Sequence, residues 1–471
     1  MLDLLPGKDD PAWPSGTRGL RLLPLRALRY VPDEVGDLAA VTSPPLDGAV
    51  GREGREPEHP HHVVRLIHPR AGTAEARRAQ ASTTLRAWLA EGVLAADAEP
   101  ALYVYEQSRG DLVQRGVIGA LELSPPEEGI VLPHEDVIAH VVEERADLVR
   151  ATAAQLEPLL LSYRGTAAAA GATSAVERAT AGPPLLVTTT RDGFRHRLWS
   201  MTDPTEIGEV ADHLAGHRAL IADGHHRWAT YLRLRREQAV TPGPWDYGLV
   251  LLVDTAQYPL QVEAIHRLLP RLPLSEALAA VGDSFRVRRL DTSLAQALAA
   301  LEEAASTGNA FLLAGDGSYH LLDRPDPALL ARTTRRDRPA DWHALDAAVL
   351  HETLMARVWR VPDAADCVAY LHDAEAAVAQ AERLDATAVL MHPVREELVH
   401  DLARRGVTLP RKSTSFGPKP ACGLVLRSLE DPCPSPGQAP APPRTRTGPA
   451  SPAERPRDAR ACLSREAAAP G

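Results

Sequence analysis

Ala219-Leu-Ile-Ala-Asp-Gly-His-His-Arg-Trp228 changes character halfway along, and the change decides the architecture. Ala219 to Ala222 is an unbroken apolar run, short enough to be one buried strand. A carboxylate, a glycine and three polar side chains follow, and the stretch from Gly224 to Glu237 reads as a helix. Tyr247-Gly-Leu-Val-Leu-Leu-Val253 is then a second buried strand. This β–α–β order predicts a mixed α/β (α+β) fold with Asp223 to Arg227 at a strand-to-helix junction.

Upstream, Thr84 to Leu94 has helical apolar spacing through Leu85, Trp88 and Leu89. Ala101–Tyr105 and Gly116–Leu123, turning near Arg109-Gly-Asp111, read as a hairpin. Glu143 to Leu156 reads as a second helix, and the Ala- and Gly-rich run from Thr166 to Pro184 as a mobile loop. Downstream, Gly315-Asp316-Gly317 between Phe311–Ala314 and Tyr319–Leu322 is a hairpin turn. Val389–Met391 is a strand, and a helix from Val394 to Arg405 stops at Gly406. Ten of the chain's 41 prolines fall between Glu430 and Gly471 with almost no apolar periodicity, which predicts a disordered tail.

Bulk composition narrows the function. The 471 residues are 44% hydrophobic and 24% charged, enough for two or three packed domains. A net charge of −10 disfavours DNA as a partner, because nonspecific binding needs a basic surface. Cys367, Cys422, Cys433 and Cys462 have no C-x-x-C spacing, so neither a disulfide framework nor a cysteine zinc site is expected. The N-terminal stretch is interrupted by Pro6, Pro11, Pro14 and Pro24, and no signal peptide or membrane span is readable, so the expected location is the cytoplasm.

Four clusters carry candidate chemistry. A helix beginning at Gly224 presents unpaired amides and the positive end of its dipole, and glycine lets a ligand come close. His225, His226 and Arg227 would line an anion site there, with Asp223 as cap, metal ligand or base. His134 and Glu135 follow a strand end in Leu132-Pro-His-Glu135, where either can be tuned into a base; the bland alternative is a helix start. Arg411-Lys-Ser-Thr-Ser-Phe-Gly-Pro-Lys419 holds two of the three lysines in an arginine-dominated chain, with Ser413 and Thr414 between them. Compact ammonium groups suit phosphate, although the Walker order is absent and a solvated basic turn reads the same way. His59-Pro-His-His62, followed by Val63-Val-Arg65, looks like a strand entry; joined to His225 and His226 it would make a zinc site, but no His-x-x-x-His pair or carboxylate accompanies it, so zinc is disfavoured.

These residues also resemble a known family. Pro24-Leu-Arg-Ala-Leu-Arg-Tyr30, Ser43-Pro-Pro45, His61-His-Val-Val-Arg-Leu66, Leu102-Tyr-Val-Tyr-Glu-Gln107, Leu132-Pro-His-Glu135, Ile221-Ala-Asp-Gly-His-His-Arg-Trp228 and Pro410-Arg-Lys-Ser-Thr414 occur in the order of the DUF1015 family, over about Arg18 to Leu429. The His-Pro-His-His and Pro-His-Glu-Asp wording is similar to its actinobacterial branch. The helix entry is similar to that of the ParB/sulfiredoxin-like superfamily, which includes free-serine kinases and chromosome-partitioning proteins. The resemblance implies a phosphate pocket at Gly224 to Arg227. It also implies a Pro-Pro-Tyr-Asp-Val segment, whereas this chain has Pro44-Pro-Leu-Asp-Gly48; Asp47 is kept and the tyrosine is Leu46.

The reading is therefore an irregular leader (1–20), a ParB/sulfiredoxin-like core (21–260), a C-terminal α/β portion (261–429) and the tail (430–471). The expected function is a small-molecule phosphotransferase or nucleotide-dependent enzyme that binds a small anionic molecule or nucleotide. Glu135, Asp223 and His226 would be catalytic. Asp47, Arg65, His134, Gly224, His225, Arg227, Lys412, Ser413, Thr414 and Lys419 would bind substrate or phosphate. ATP or ADP with Mg²⁺ is the expected cofactor set, because Glu135 and Asp223 are oxygen donors. The alternatives are a non-catalytic, nucleotide-responsive or DNA-associated regulator, and behind it a histidine-ligated metal hydrolase.

Overall fold

The structure, a computed structural model, describes residues 18–46, 58–165, 171–238 and 242–431 except 334, 336 and 365. Asp47, the leader up to residue 17 and the tail from residue 432 lie outside the described residues.

The chain forms a mixed α/β fold with two large sheets. The nine-stranded sheet runs Val131–Leu132, Ala219–Asp223, Leu159–Tyr163, Tyr247–Asp254, Leu112–Glu122, Leu102–Arg109, Arg195–Met201, Leu186–Thr189, with Leu22–Leu23 added on Leu112–Glu122. Its central strands are largely apolar and buried because both faces are covered. Side chains alternate between two cores. Tyr103, Tyr105, Leu249, Leu251 and Val253 face one way, under Trp342, Leu345, Val399, Leu402 and Phe416 from the C-terminal part of the chain. Leu102, Val104, Val250 and Leu252 face the other way, under Trp228 and Tyr231 of the helix His225–Glu237 and Val210 and Leu214 of the helix Pro204–Leu214.

The β–α–β order is present but is not a parallel crossover. Ala219–Asp223 runs antiparallel to Leu159–Tyr163, which is parallel to Tyr247–Asp254, so a strand from upstream lies between the two that flank the helix. The hairpin at 102–122 forms as Leu102–Arg109 and Leu112–Glu122.

A six-stranded, wholly antiparallel sheet follows, in the order Arg286–Leu290, Ser318–Asp323, Ala310–Gly315, Thr387–Leu390, His266–Leu269, Ala369–Leu371. Asp316 and Gly317, with φ of 46° and 74°, make the two-residue turn that the strand twist favours. The helix predicted at 394–405 spans Glu396–Arg404 and ends before Gly406 at φ 68°. A four-stranded sheet joins distant parts of the chain: Leu94–Ala96, Ala27–Tyr30, Leu426–Ser428 and Ala154–Gln155. Finally, Ser415–Gly417 pairs with Gln261–Glu263.

Four expectations need correction. The helix read at 143–156 is Ala139–Thr152, and Ala154–Gln155 beyond it is a strand paired with Leu426–Ser428. The predicted loop at 166–184 contains the helix Ala172–Thr180, which buries Ala172, Ala175 and Val176; alanine-rich composition hid a helix there. Residues 166–170 lie outside the described residues. The segment after His62 enters a short helix, Val64–Ile67, rather than a strand, with Val63, Leu66 and Ile67 buried at helical spacing. The helix placed at 84–94 is Ala74–Ala90, begun nearly three turns earlier, where Thr73 caps it by accepting from the Ala76 amide at 3.1 Å.

Candidate functional site

Gly224 turns the chain from strand to helix at φ 102°, where a Cβ would meet Leu159 Cγ at 2.9 Å. Only glycine fits both demands. The turn leaves Asp223 on one side of the helix entry and Arg227 one turn along it. Arg227 Nη2 donates to Asp223 Oδ2 at 2.5 Å, and Arg227 Nη1 donates to the Pro158 carbonyl at 2.8 Å. From the C-terminal part of the chain, Lys419 places Nζ 3.6 Å from Asp223 Oδ1. Burial pushes the Asp223 carboxyl up, but Lys419 and then Arg227 outweigh that and hold it well below the usual carboxylate range. These three residues line a cavity of 20 Å³ with Pro45, Leu46, Glu157, Pro158, Pro420 and Cys422. Leu46, standing where the family pattern has tyrosine, is part of its wall.

On the other side of the helix entry two histidines meet. His225 and His134 stack edge to face, with ring centroids 4.4 Å apart, and the His134 amide donates to His225 Nε2 at 3.3 Å. His134 Nε2 bonds Thr414 Oγ1 at 2.8 Å. The Ile138 amide donates to His226 Nε2 at 3.0 Å. Burial lowers both His225 and His226 to about 4 and His134 well below its usual value, so all three are neutral at pH 7. Their Nε2 atoms thus tie the helix entry to neighbouring segments. Ser413 Oγ likewise turns inward, donating to the Pro410 carbonyl at 2.5 Å.

Glu135 sits beside the Lys412 end of the same C-terminal segment, its Oε1 accepting from the Ser413 amide at 3.2 Å. Burial raises its carboxyl above the ordinary range, offset only in part by Lys412 and the amides of residues 412–414. Of the two candidate bases, Glu135 is therefore tuned toward proton transfer and Asp223 away from it. Lys412 itself is exposed, in a left-handed backbone conformation at φ 59°. Its carbonyl accepts from Arg267 Nη2 at 2.9 Å. Arg267, 1% exposed, also reaches His351 Nε2 at 3.2 Å, on the π-helical stretch Val349–Trp359.

Sequence reasoning did not single out the residues that hold the segment in place. Gln107 Nε2 donates to the Pro418 carbonyl at 2.9 Å, and Tyr105 Oη accepts from the Ala421 amide at 3.1 Å. Both belong to Leu102-Tyr-Val-Tyr-Glu-Gln107, a strand and family motif whose sequence carries no sign of this partner. Glu157 was missed too: it accepts from Cys422 Sγ at 3.3 Å and faces Arg145 at 3.8 Å.

Other candidates lie apart. Arg65, on Val64–Ile67, donates from Nε to the His59 carbonyl at 3.5 Å and is not among the residues lining the Asp223 cavity. His59 and His61 lie against each other with tilted rings and His61 meets Trp88 edge to face, rather than joining His225 and His226 in a metal cluster. Among the described residues no three His, Cys, Asp or Glu side chains converge as a metal site. Asp223 spends its two oxygens on cations, so the donors do not fit a resident metal ion. Among the described residues no helix is long and apolar enough to cross a membrane.

The family described as "Protein of unknown function (DUF1015)" matches residues 22–348. No curated protein matches the sequence. A solved structure of a free serine kinase in complex with ADP is similar at 16% identity, over 69% of this chain and 97% of that one, with a TM-score of 0.35. A conserved hypothetical protein from Pyrococcus furiosus is similar at 16% identity, over 64% and 92%, with a TM-score of 0.33. Likenesses this loose carry no weight for chemistry.

Proposed function

The chain belongs to the DUF1015 family, and for it we propose a small-molecule phosphotransferase that uses a nucleotide. The observation that carries the reading is the convergence of Arg227 and Lys419 on Asp223 around one cavity at a glycine-opened helix entry. Fixed cations of this kind stabilise charge that develops on a transferring phosphoryl group without reorganising. Arg227 and the first amides of the helix hold phosphate, and Lys412, which is exposed and does not line the cavity, neutralises charge on the outer part of the ligand. Asp223 keeps the two cations in place. Glu135 takes the proton of the attacking hydroxyl, for which a raised carboxyl is suited. His134, His225 and His226 act as neutral positioning residues. Any Mg²⁺ arrives with the nucleotide rather than waiting in a preformed site. A ParB/sulfiredoxin-like core for residues 21–260 belongs to the same proposal.

Thermal-shift titration with ATP, ADP and AMP, with and without Mg²⁺, tests it. A ligand at one hundred times its Kd stabilises the native state by about 2.7 kcal/mol, a shift of several degrees. Stabilisation by a nucleotide, abolished in Lys419→Ala and Arg227→Ala, is the expected result. A flat response to all three nucleotides overturns the reading.

A further inference from the structure

The Asp223 cavity is too small for the ligand that its charges suit. At 20 Å³ it has room for about one water molecule, since roughly 10–15 Å³ is the minimum for one. A much larger space lies nearby. Helices Ala74–Ala90 and Ala139–Thr152, with the segment Ile67–Ala71, enclose a cleft of 520 Å³, within the range of about 300–1,000 Å³ typical of small-molecule sites. Arg70, Arg77, Arg78 and Arg145 line it with Glu144, and Asp147 and Glu157 stand behind Arg78 and Arg145. In a chain of net charge −10 that is a local reversal of sign. Arg78 is held by Asp147 at 2.8 Å and Arg145 by Glu157 at 3.8 Å, whereas Arg77 donates to the Ala71 carbonyl at 3.4 Å and meets no carboxylate among the described residues. Ile67 and Leu148 give the wall an apolar part for the body of an organic ligand.

The cleft and the candidate site are linked by shared walls. A narrow cavity of 30 Å³ shares Ile67, Arg145 and Leu148 with the cleft, and shares Glu157 and Arg227 with the Asp223 cavity. Arg145, Glu157 and Arg227 thus mark one alternating line of charge between the two spaces. We propose that the arginine cleft binds a small organic polyphosphate, with its reacting end directed past Arg145 toward Arg227. This deepens the functional reading above and rests on it for the direction of the ligand. The cleft itself calls for a compact anionic ligand, since Arg77 meets no carboxylate among the described residues while Asp147 and Glu157 are taken up by Arg78 and Arg145.

Isothermal titration of the full chain with pyrophosphate, ADP and AMP separates the two ideas. The test variant is Arg70→Ala/Arg77→Ala, which leaves the Arg78–Asp147 and Arg145–Glu157 pairs intact; an unchanged melting temperature confirms folding. Lys419→Ala serves as the second arm. The expected result is ADP and pyrophosphate binding tighter than AMP, with both weakened at least tenfold in the double variant. Wild-type ADP affinity in the double variant overturns the cleft, and if Lys419→Ala abolishes that binding the phosphotransferase reading survives alone. Pyrophosphate binding that is lost in the double variant, with no response to nucleotides, supports the cleft and removes the nucleotide from the function. No binding of any of the three to the wild-type chain overturns both.

Discussion

The two ends of the segment from Lys412 to Lys419 are fastened by different sheets and in opposite ways. At the first end the six-stranded sheet supplies a buried charge, Arg267, which grips the Lys412 backbone and leaves its side chain exposed. At the second, the nine-stranded sheet supplies neutral groups, Gln107 and Tyr105, which grip the residues on either side of Lys419. Its side chain is 12% exposed and turned onto Asp223. One lysine is thus a fixed counter-charge and the other is displayed to solvent. The segment joins the two large sheets and presents a different ammonium at each.

Breaking the charged fastening has the largest expected effect. Arg267→Ala leaves the Lys412 and Ile265 carbonyls without their donor and a void in a packed region. A loss on the order of 3–5 kcal/mol is expected in denaturant unfolding. A loss below about 1 kcal/mol would mean that the backbone is held by other contacts. The neutral fastening should be weaker. Gln107→Ala strands the Pro418 carbonyl, and Tyr105→Phe strands the Ala421 amide and the His196 Nδ1 partner, for roughly 1–3 kcal/mol each. Equal losses at the two ends would erase the distinction.

Much of this was legible beforehand, for a physical reason. The strand and helix around Gly224, and the hairpin at Asp316-Gly317, are local events in which apolar period and left-handed glycine geometry lie within a few neighbouring residues. Lys412 and Lys419 stood out as candidates because lysine is rare in this chain, and Gly224 and Arg227 because they fall in one polar run directly after a buried strand. The grip of Gln107 on Pro418 spans 311 positions and that of Arg267 on Lys412 spans 145, and no local pattern encodes a partner so far away. The arginine cleft escaped notice because arginine is so common in this chain that four more attract no attention.

Two smaller experiments sharpen the contrast between the fixed and displayed lysines. Asp223 has a lowered folded pKa, so its contribution to stability is present above its unfolded value, ~3.9, and is lost as pH falls through the folded one. Removing Lys419 raises the folded pKa, so Lys419→Ala should be less stable at pH 7 by on the order of 1 kcal/mol, with acid unfolding beginning at higher pH. An acid limb that superimposes on the wild type would show that Lys419 does not hold Asp223 ionised. Glu135 has the opposite sign: its folded pKa is raised, so stability increases as pH falls through that value toward the unfolded one. Glu135→Gln should remove that rise and leave stability at pH 7 within about 1 kcal/mol of the wild type. Stability against pH measured by urea titration decides it; an undiminished rise in the variant assigns the proton elsewhere.

Leu426–Ser428 occupies the middle of the four-stranded sheet, between Ala27–Tyr30 and Ala154–Gln155, and Arg427 reaches on to the Tyr247 carbonyl at 2.9 Å. A ribosome makes the chain from its N-terminus, so Ala27–Tyr30, which has Leu94–Ala96 on one side early, waits through nearly four hundred further residues for its neighbour on the other. Lys412 and Lys419 leave the exit tunnel just ahead of that closing strand. Nascent chains cannot assemble the candidate site early, and a message cut short before codon 426 yields a product with an unmated edge where a finished sheet should be.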